Sequence, residues 1–347
     1  MSGFDRVQCT VIQNRLTAIT RDMGTTMLRT SRSPILTEAR DFITAVFDGK
    51  GRVAAQTEYI PILCASTPEA VKKTSEAFEG EINEGDLFLL NDPFCGGNHL
   101  PDLTVLKPVF SPSGRRLFWA VTKGHHADIG GAVMGGYNPG ARDAFQEGIR
   151  IPPIKLYDRG RRREDIWRML LSNTRLPGHL RGDLRAQISA VGLAERLLKE
   201  MVSKWGEETL REAIEFFLDA TERRVRREIS AIPDGTYRAC RALDHDGIDK
   251  SRRVRIDVEI TVEGRTDWSL LLGPGLRNPD AQELKGTYRL RRQASYAIAD
   301  EIESLDASKP GAPTTLSGNG VRWIGLEDTF FLTALMPSSS FRSATVE

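Results

Sequence analysis

The chain has 347 residues, 40% of them hydrophobic and 27% charged, with 48 basic against 47 acidic side chains. That length is enough for more than one core, and the composition is too apolar for a disordered chain. A formal net charge of +1 supplies no global field for nucleic acid or an anionic membrane surface. The basic run Arg159–Arg163 therefore reads as solvated loop charge. No stretch approaches the roughly 18 apolar residues of a membrane span, and the polar start MSGFDRVQCT lacks a charged-then-apolar leader pattern. Cys9, Cys64, Cys95 and Cys240 form no CxxC pair, so reduced thiols in a cytoplasmic protein are expected rather than a disulfide framework or a zinc knuckle.

Ile12, Leu16, Ile19, Met23 and Met27 recur at spacings of three and four, which predicts an amphipathic helix ended by Ser33-Pro34. "FITAVFD" (Phe42–Asp48) reads as a strand, and Gly49-Lys50-Gly51 turns it into "RVAAQ". Thr67–Phe78 is predicted as a helix with Thr67 as N-cap, Pro68 at its first position and Glu69 in its first turn. "DLFLL" (Asp86–Leu90) is a short buried strand. "TVLKPVF" and "RRLFWAV" flank Ser111–Gly114 as a second hairpin. From about Arg163 to Ser230 the pattern is helical, with apolar stripes at Leu193, Leu197, Leu198, Met201 and at Leu210, Ile214, Phe217, Leu218. Pro233 and an Asp-Gly turn close that block, strands resume in "RRVRIDVEITVEG", and the final stretch with "SKPGAPTTLSGNG" has no clear period.

The expected fold is α+β. Residues 1–160 form a mixed, hairpin-rich region that bears the site, 161–232 a helical region, and 233–347 a poorly defined region containing β structure.

Two loops carry the chemistry. "NDPFCGGNHLPDLTVLKPVF" (Asn91–Phe110) and "KGHHADIGG" (Lys123–Gly131) hold three of the chain's five histidines, both at predicted strand ends, where function concentrates. His99 and Asp102 lie three residues apart, so an extended strand would point them to opposite faces and their cooperation requires a turn. Should they converge, His125 at the end of the next hairpin can add a second imidazole. Two histidines and one carboxylate with open positions suit Mn, Fe or Zn better than Ca or Mg. Such an ion polarises a carbonyl and lowers the pKa of bound water. His126 and Asp128 are candidates for fixing a ligand's tautomer or assisting proton transfer. HxxD is far less specific than HExxH, so surface or hydrogen-bonded roles stay open on spacing alone. Cys95 beside His99 offers a nucleophile–base alternative, or a small apolar filler next to Phe94. No GxSxG, Walker-type loop or dinucleotide fingerprint is present.

These two loops together resemble the hydantoinase B/oxoprolinase family, as do "EARDFITAVFDGKGRVAAQ", "QEGIRIPPIKLYDRG", "GDLRAQISA", "IPDGTY" and "LDHDG" in order. The resemblance covers roughly residues 10 to 265 and is lost near Thr266, which implies a shortened or divergent C-terminal region. It implies the B subunit of an ATP-dependent N-methylhydantoinase or 5-oxoprolinase, in a hetero-oligomer with a hydantoinase A-like ATPase subunit. ATP on that partner would phosphorylate a cyclic amide, a small-molecule substrate, and the B subunit would complete its hydrolysis. It further implies a divalent metal on His99, Asp102 and His125. Two alternatives stand beside it: a subunit of an ATP-dependent acetone or acetophenone carboxylase, and a truncated, non-catalytic assembly subunit.

Overall fold

The computed structural model describes residues 6–292, apart from 58, 136–137, 139, 142, 245–250, 252, 264–267 and 273–282. The aperiodic tail beyond 292, including "SKPGAPTTLSGNG", lies outside the described residues. Two compact units divide the chain, the first made of residues up to Asn138 together with Phe145–Leu218.

In the first unit the predicted opening helix is α1 (Arg6–Thr30), and it buries Cys9, Ile12, Leu16, Ile19, Met23 and Met27. It ends where Ser33-Pro34 begins the short α2 (Pro34–Thr37). The Asp183 carboxylate accepts from the Arg32 and Ser33 amides at 2.6 and 3.1 Å, so a buried acid fixes this bend. Strands β1 (Phe42–Asp48) and β2 (Val53–Gln56) form the first hairpin. Then come α3 (Pro61–Ala65), α4 (Thr67–Ala77) and β3 (Leu87–Leu90). The second hairpin joins β4 (Asp102–Phe110) to β5 (Arg116–His125), and β6 (Ile154–Asp158) and β7 (Arg161–Arg162) complete a sheet of order β2-β1-β5-β4-β3-β6-β7. Each pairing in it is antiparallel.

Side chains alternate across that sheet with period two. Phe42, Val46, Leu103, Val105, Phe118 and Ala120 join the larger core with α1. Ala45, Phe47, Leu106, Trp119 and Val121 point the other way and pack with Ala70 and Val71 of α4. With both faces covered, β1 is buried at every position, which explains why its sequence reads as a continuous apolar run.

The predicted helical stretch resolves into α5 (Glu164–Ser172), α6 (Pro177–Trp205) and α7 (Glu207–Ser230). Pro177 opens α6, where its missing N–H costs nothing. Leu184, Ala190, Val191, Ala194 and Leu198 bury the helix in the larger core.

Glu215 of α7 binds Lys50 at 3.0 Å and the Arg52 guanidinium at 2.6 Å, and Arg52 also holds Asp48. Hydrogen bonds from Arg52 and then Lys50 lower the Glu215 carboxyl to about 2. A carboxyl depressed in the folded state contributes stability above its ordinary value, and that contribution disappears as pH falls toward the folded value. The group is about a third exposed, so Glu215→Gln is expected to cost about 1 kcal/mol at neutral pH. In urea melts the difference from wild type should shrink as pH drops from 4.5 toward 2.

The second unit holds β8 (Gly235–Leu243), β9 (Val254–Glu263), β10 (Trp268–Leu272) and β11 (Glu283–Arg292), in the order β10-β11-β9-β8. Strand β9 is the predicted "RRVRIDVEITVEG" and runs parallel to β11. The fold is α+β, as expected. All four cysteines are free. Among the described residues no helix is long and apolar enough to cross a membrane.

Candidate functional site

Asp102 opens β4 and His125 closes β5, and the two are direct partners across the ladder. Their side chains therefore stand next to each other at one end of the hairpin. His99 reaches the same point through the turn the sequence demanded: the Asp102 amide donates to the His99 carbonyl at 3.0 Å, and Leu103 donates to Pro101 at 3.1 Å. Asp41 precedes β1, and its carbonyl accepts from the His125 amide at 3.0 Å.

The three predicted ligands converge. One donor atom from each of His99, Asp102 and His125 lies within 4.8 Å of the others. His99 Nδ1 stands 2.9 Å from Asp102 Oδ2, and His125 Nδ1 stands 3.5 Å from Oδ1. The imidazole centroids are 4.7 Å apart, edge to face. Asp102 is 1% exposed, and neither of its oxygens has a donor in hydrogen-bonding alignment. Burial alone would raise its carboxyl; His125 and His99 outweigh that and hold it far below the carboxylate range. Two imidazole nitrogens this close to one buried carboxylate are arranged as ligands around a shared cation would be. The donor set and these buried oxygens fit a divalent metal.

Asp41 is the neighbour that sequence reasoning missed. Its carboxylate lies 3.8 Å from His125 Nδ1, and its carboxyl is pushed up by burial and then by the Asp102 charge. The only hint of it was its place one residue ahead of a predicted strand, inside a motif noted for family likeness.

The loop that carries His99 is held from several sides. Asn91 accepts from the Ile151 amide at 2.6 Å and donates to the carbonyls of Leu100 and Ile149 at 2.6 and 2.9 Å. Gly96 sits at φ +86°, and a Cβ there would lie 2.1 Å from the Ala70 amide nitrogen of α4; one on Gly97 would lie 2.1 Å from the Asn91 carbonyl oxygen. Both contacts are with backbone that cannot yield. Gly97→Ala is therefore expected to displace His99 and weaken metal binding at least about tenfold. Equilibrium dialysis with Mn or Zn checks this, and wild-type affinity in that variant would count against a fixed loop.

His126 and Asp128, expected to assist the cluster, are committed elsewhere. Strand alternation sends His126 to the sheet face opposite His125. Gln187 of α6 donates to the Leu103 carbonyl at 2.9 Å, which leaves its Oε1 to accept the His126 Nε2 proton at 2.9 Å. Burial pushes this imidazole below the ordinary histidine range, with Asp183 pulling the other way. Asp128 accepts from Thr174 Oγ1 at 2.9 Å, from Arg175 Nη1 at 2.8 Å and from the Arg175 amide. Cys95 packs beside the smaller core. Burial and then Asp92 push its thiol up, which works against the nucleophile alternative.

A two-histidine, one-carboxylate cluster at the end of an antiparallel sheet defines a candidate metal centre in an α+β protein. The Hydantoinase B/oxoprolinase family matches residues 5–270, and the chain belongs to that family. It is 38% identical to the beta chain of the caprolactamase of Pseudomonas jessenii, over 71% of this chain and 42% of that one. It is 31% identical to the B component of a putative D-/L-hydantoinase of Pseudomonas sp. (strain NS671), over 76% of this chain and 46% of the relative. The crystal structure of the ATP-dependent caprolactamase from Pseudomonas jessenii superposes with a TM-score of 0.68 at 36% identity, covering 74% of this chain and 46% of that one. The chain thus spans less than half the length of the relatives it matches.

Proposed function

We propose that this chain is the site-bearing component of an ATP-dependent cyclic amide hydrolase, in the cytoplasm, acting on a lactam, hydantoin or 5-oxoproline ring. A hydantoinase A-like ATPase subunit would phosphorylate the ring carbonyl oxygen, and this chain would complete the hydrolysis. The observation that carries the reading is the meeting of His99, Asp102 and His125 within 4.8 Å, in a chain similar to a caprolactamase component and a putative hydantoinase component. Those similarities favour amide hydrolysis over ketone carboxylation.

His99, Asp102 and His125 would hold Mn, Fe or Zn, which when bound polarises a carbonyl and acidifies water. Asp41 borders the cluster and is the carboxylate placed to take a proton from the attacking water. His126 and Asp128 act at one remove: His126 ties the end of β5 to α6, and Asp128 ties the following loop to the start of α6.

The test is co-purification with an ATPase partner, metal analysis, and ATP-dependent ring opening of caprolactam, hydantoin and 5-oxoproline. Ring opening of one of them, lost in His99→Ala, supports the reading. A complex that holds metal and ATP yet opens none of these rings would return the chain to an assembly role.

A further inference from the structure

The hairpin strand that ends in His125 begins at an arginine with no partner for its charge. Strand β5 starts at Arg116 and ends at His125, so at about 3.3 Å per residue the two stand roughly 30 Å apart. Arg116 lines a cavity of about 410 Å³ between α4 and the turn Gly49–Gly51, large enough for a small ligand. Five charged side chains line it: Lys50, Glu69, Lys72, Glu76 and Arg116. Four of them have partners of opposite charge. Lys50 binds Glu215 at 3.0 Å, Glu69 lies 3.8 Å from Lys73, and Glu76 lies 3.8 Å from Lys72 and 3.1 Å from Lys73. Among the described residues Arg116 has no such partner. Its Nε is buried without an acceptor, and its Nη2 makes only a long bond to the Gly49 carbonyl at 3.4 Å. The guanidinium lies 4.8 Å from the centre of the Trp119 ring, and burial pushes its pKa down. Arg52, also half-buried, is by contrast held by Asp48 and Glu215. A desolvated charge is costly until an opposite charge meets it.

We propose that this cavity binds the phosphate group of a small anionic ligand, with the Arg116 guanidinium as its principal donor and the Lys72 ammonium and Ser75 hydroxyl beside it. The guanidinium fork matches two phosphate oxygens at once. Lys72 is 40% exposed and its contact with Glu76 is long; an exposed pair of that kind contributes little, so the ammonium can turn to a stronger anion. The lining carries three cations against two carboxylates. A carboxylate ligand has oxygens enough for the fork alone, whereas phosphate has further acceptors for the lysine and the serine. A second cavity, of about 420 Å³, shares Ser75, Glu76 and Arg116 and adds Ile82 and Phe110. It leaves apolar space for an organic body on the phosphate. The site is remote from the His99 cluster and does not rest on the amide hydrolase reading.

Calorimetric titration of the full chain with sodium phosphate, against acetate at equal ionic strength, is the test. Phosphate is expected to bind with a Kd of about 1 mM or tighter. At about ten times that Kd it should raise the melting temperature by about 3 °C. Acetate should bind at least about tenfold more weakly. Arg116→Gln should weaken phosphate binding at least about tenfold, and Lys72→Ala about threefold. Without phosphate, Arg116→Gln should melt within about 2 °C of the wild type, since it removes an unpaired charge. Phenyl phosphate reports the source of the group: tighter binding than phosphate marks an organic ligand that spans both cavities, and equal binding marks free phosphate. A wild type that binds no phosphate overturns the proposal. So does wild-type affinity in Arg116→Gln, which would leave the arginine a structural role alone. Binding lost in His99→Ala but kept in Arg116→Gln puts the anion at the candidate metal centre and overturns the site as well. If Arg116→Gln does not fold, the double variant Lys72→Ala, Ser75→Ala decides, and wild-type affinity there removes the site.

Discussion

His99→Ala protein, purified from cells grown with Mn or Zn, is expected to carry almost no metal where the wild type carries about one equivalent. One imidazole of a three-ligand set is lost, and the carboxylate and imidazole that remain make a weak bidentate site. The affinity loss should exceed about 100-fold, beyond the 10–100-fold typical of losing a residue that merely orients a ligand. Asp102→Asn should behave similarly, because its buried oxygens face His99 and His125. The pH dependence has a definite sign. Asp102 is held far below the carboxylate range, so its charge persists in mild acid. Competition from protons then falls on the two imidazoles, which bind metal only when neutral. Affinity should weaken steadily on acidification, with a slope that His125→Ala reduces in whatever binding survives. Equal metal in wild type and His99→Ala, or affinity indifferent to acid, would remove the centre from the account.

Much of this architecture could be read in advance because it is local. The three- and four-residue spacing of Ile12, Leu16, Ile19, Met23 and Met27 is the buried stripe of α1. The turn residues Ser111–Gly114 set the β4–β5 hairpin, and that hairpin alone brings Asp102 opposite His125. What escaped was non-local. Asp41 meets the site because β1 pairs with β5 and brings the residue ahead of it beside His125, and no spacing in the chain records it. Strand alternation, applied outward from His125, places Lys123 on the site's face of the sheet. The same alternation separates His125 from His126, which proximity in sequence had grouped together. The N-cap of the helix starting at Thr67 is Ser66 and not Thr67, an offset within the ordinary scatter of helix ends.

Asp128→Ala is expected to damage stability and leave the metal in place, which separates a residue that holds a loop from one that performs chemistry. The carboxylate is almost fully buried and accepts from Thr174 Oγ1, Arg175 Nη1 and the Arg175 amide. Removing it strands the Arg175 amide, whereas Thr174 Oγ1 keeps the Asp128 carbonyl as an acceptor at 3.0 Å and the Arg175 side chain, 45% exposed, can recover water. The cost is therefore set by that one neutral donor and should be roughly 1–3 kcal/mol, less than the 3–5 kcal/mol of breaking a pair whose partner stays buried. For a unit of this size that lowers the melting temperature by roughly 3–9 °C. Asp128→Asn keeps an acceptor for the amide and should recover about half of the loss. Metal per chain, measured well below the melting temperature, should match the wild type in both variants, since Asp128 is not among the converging donors. An Asp128→Ala chain that melts with the wild type but opens no ring would restore the proton-transfer role that its position beside two histidines first suggested.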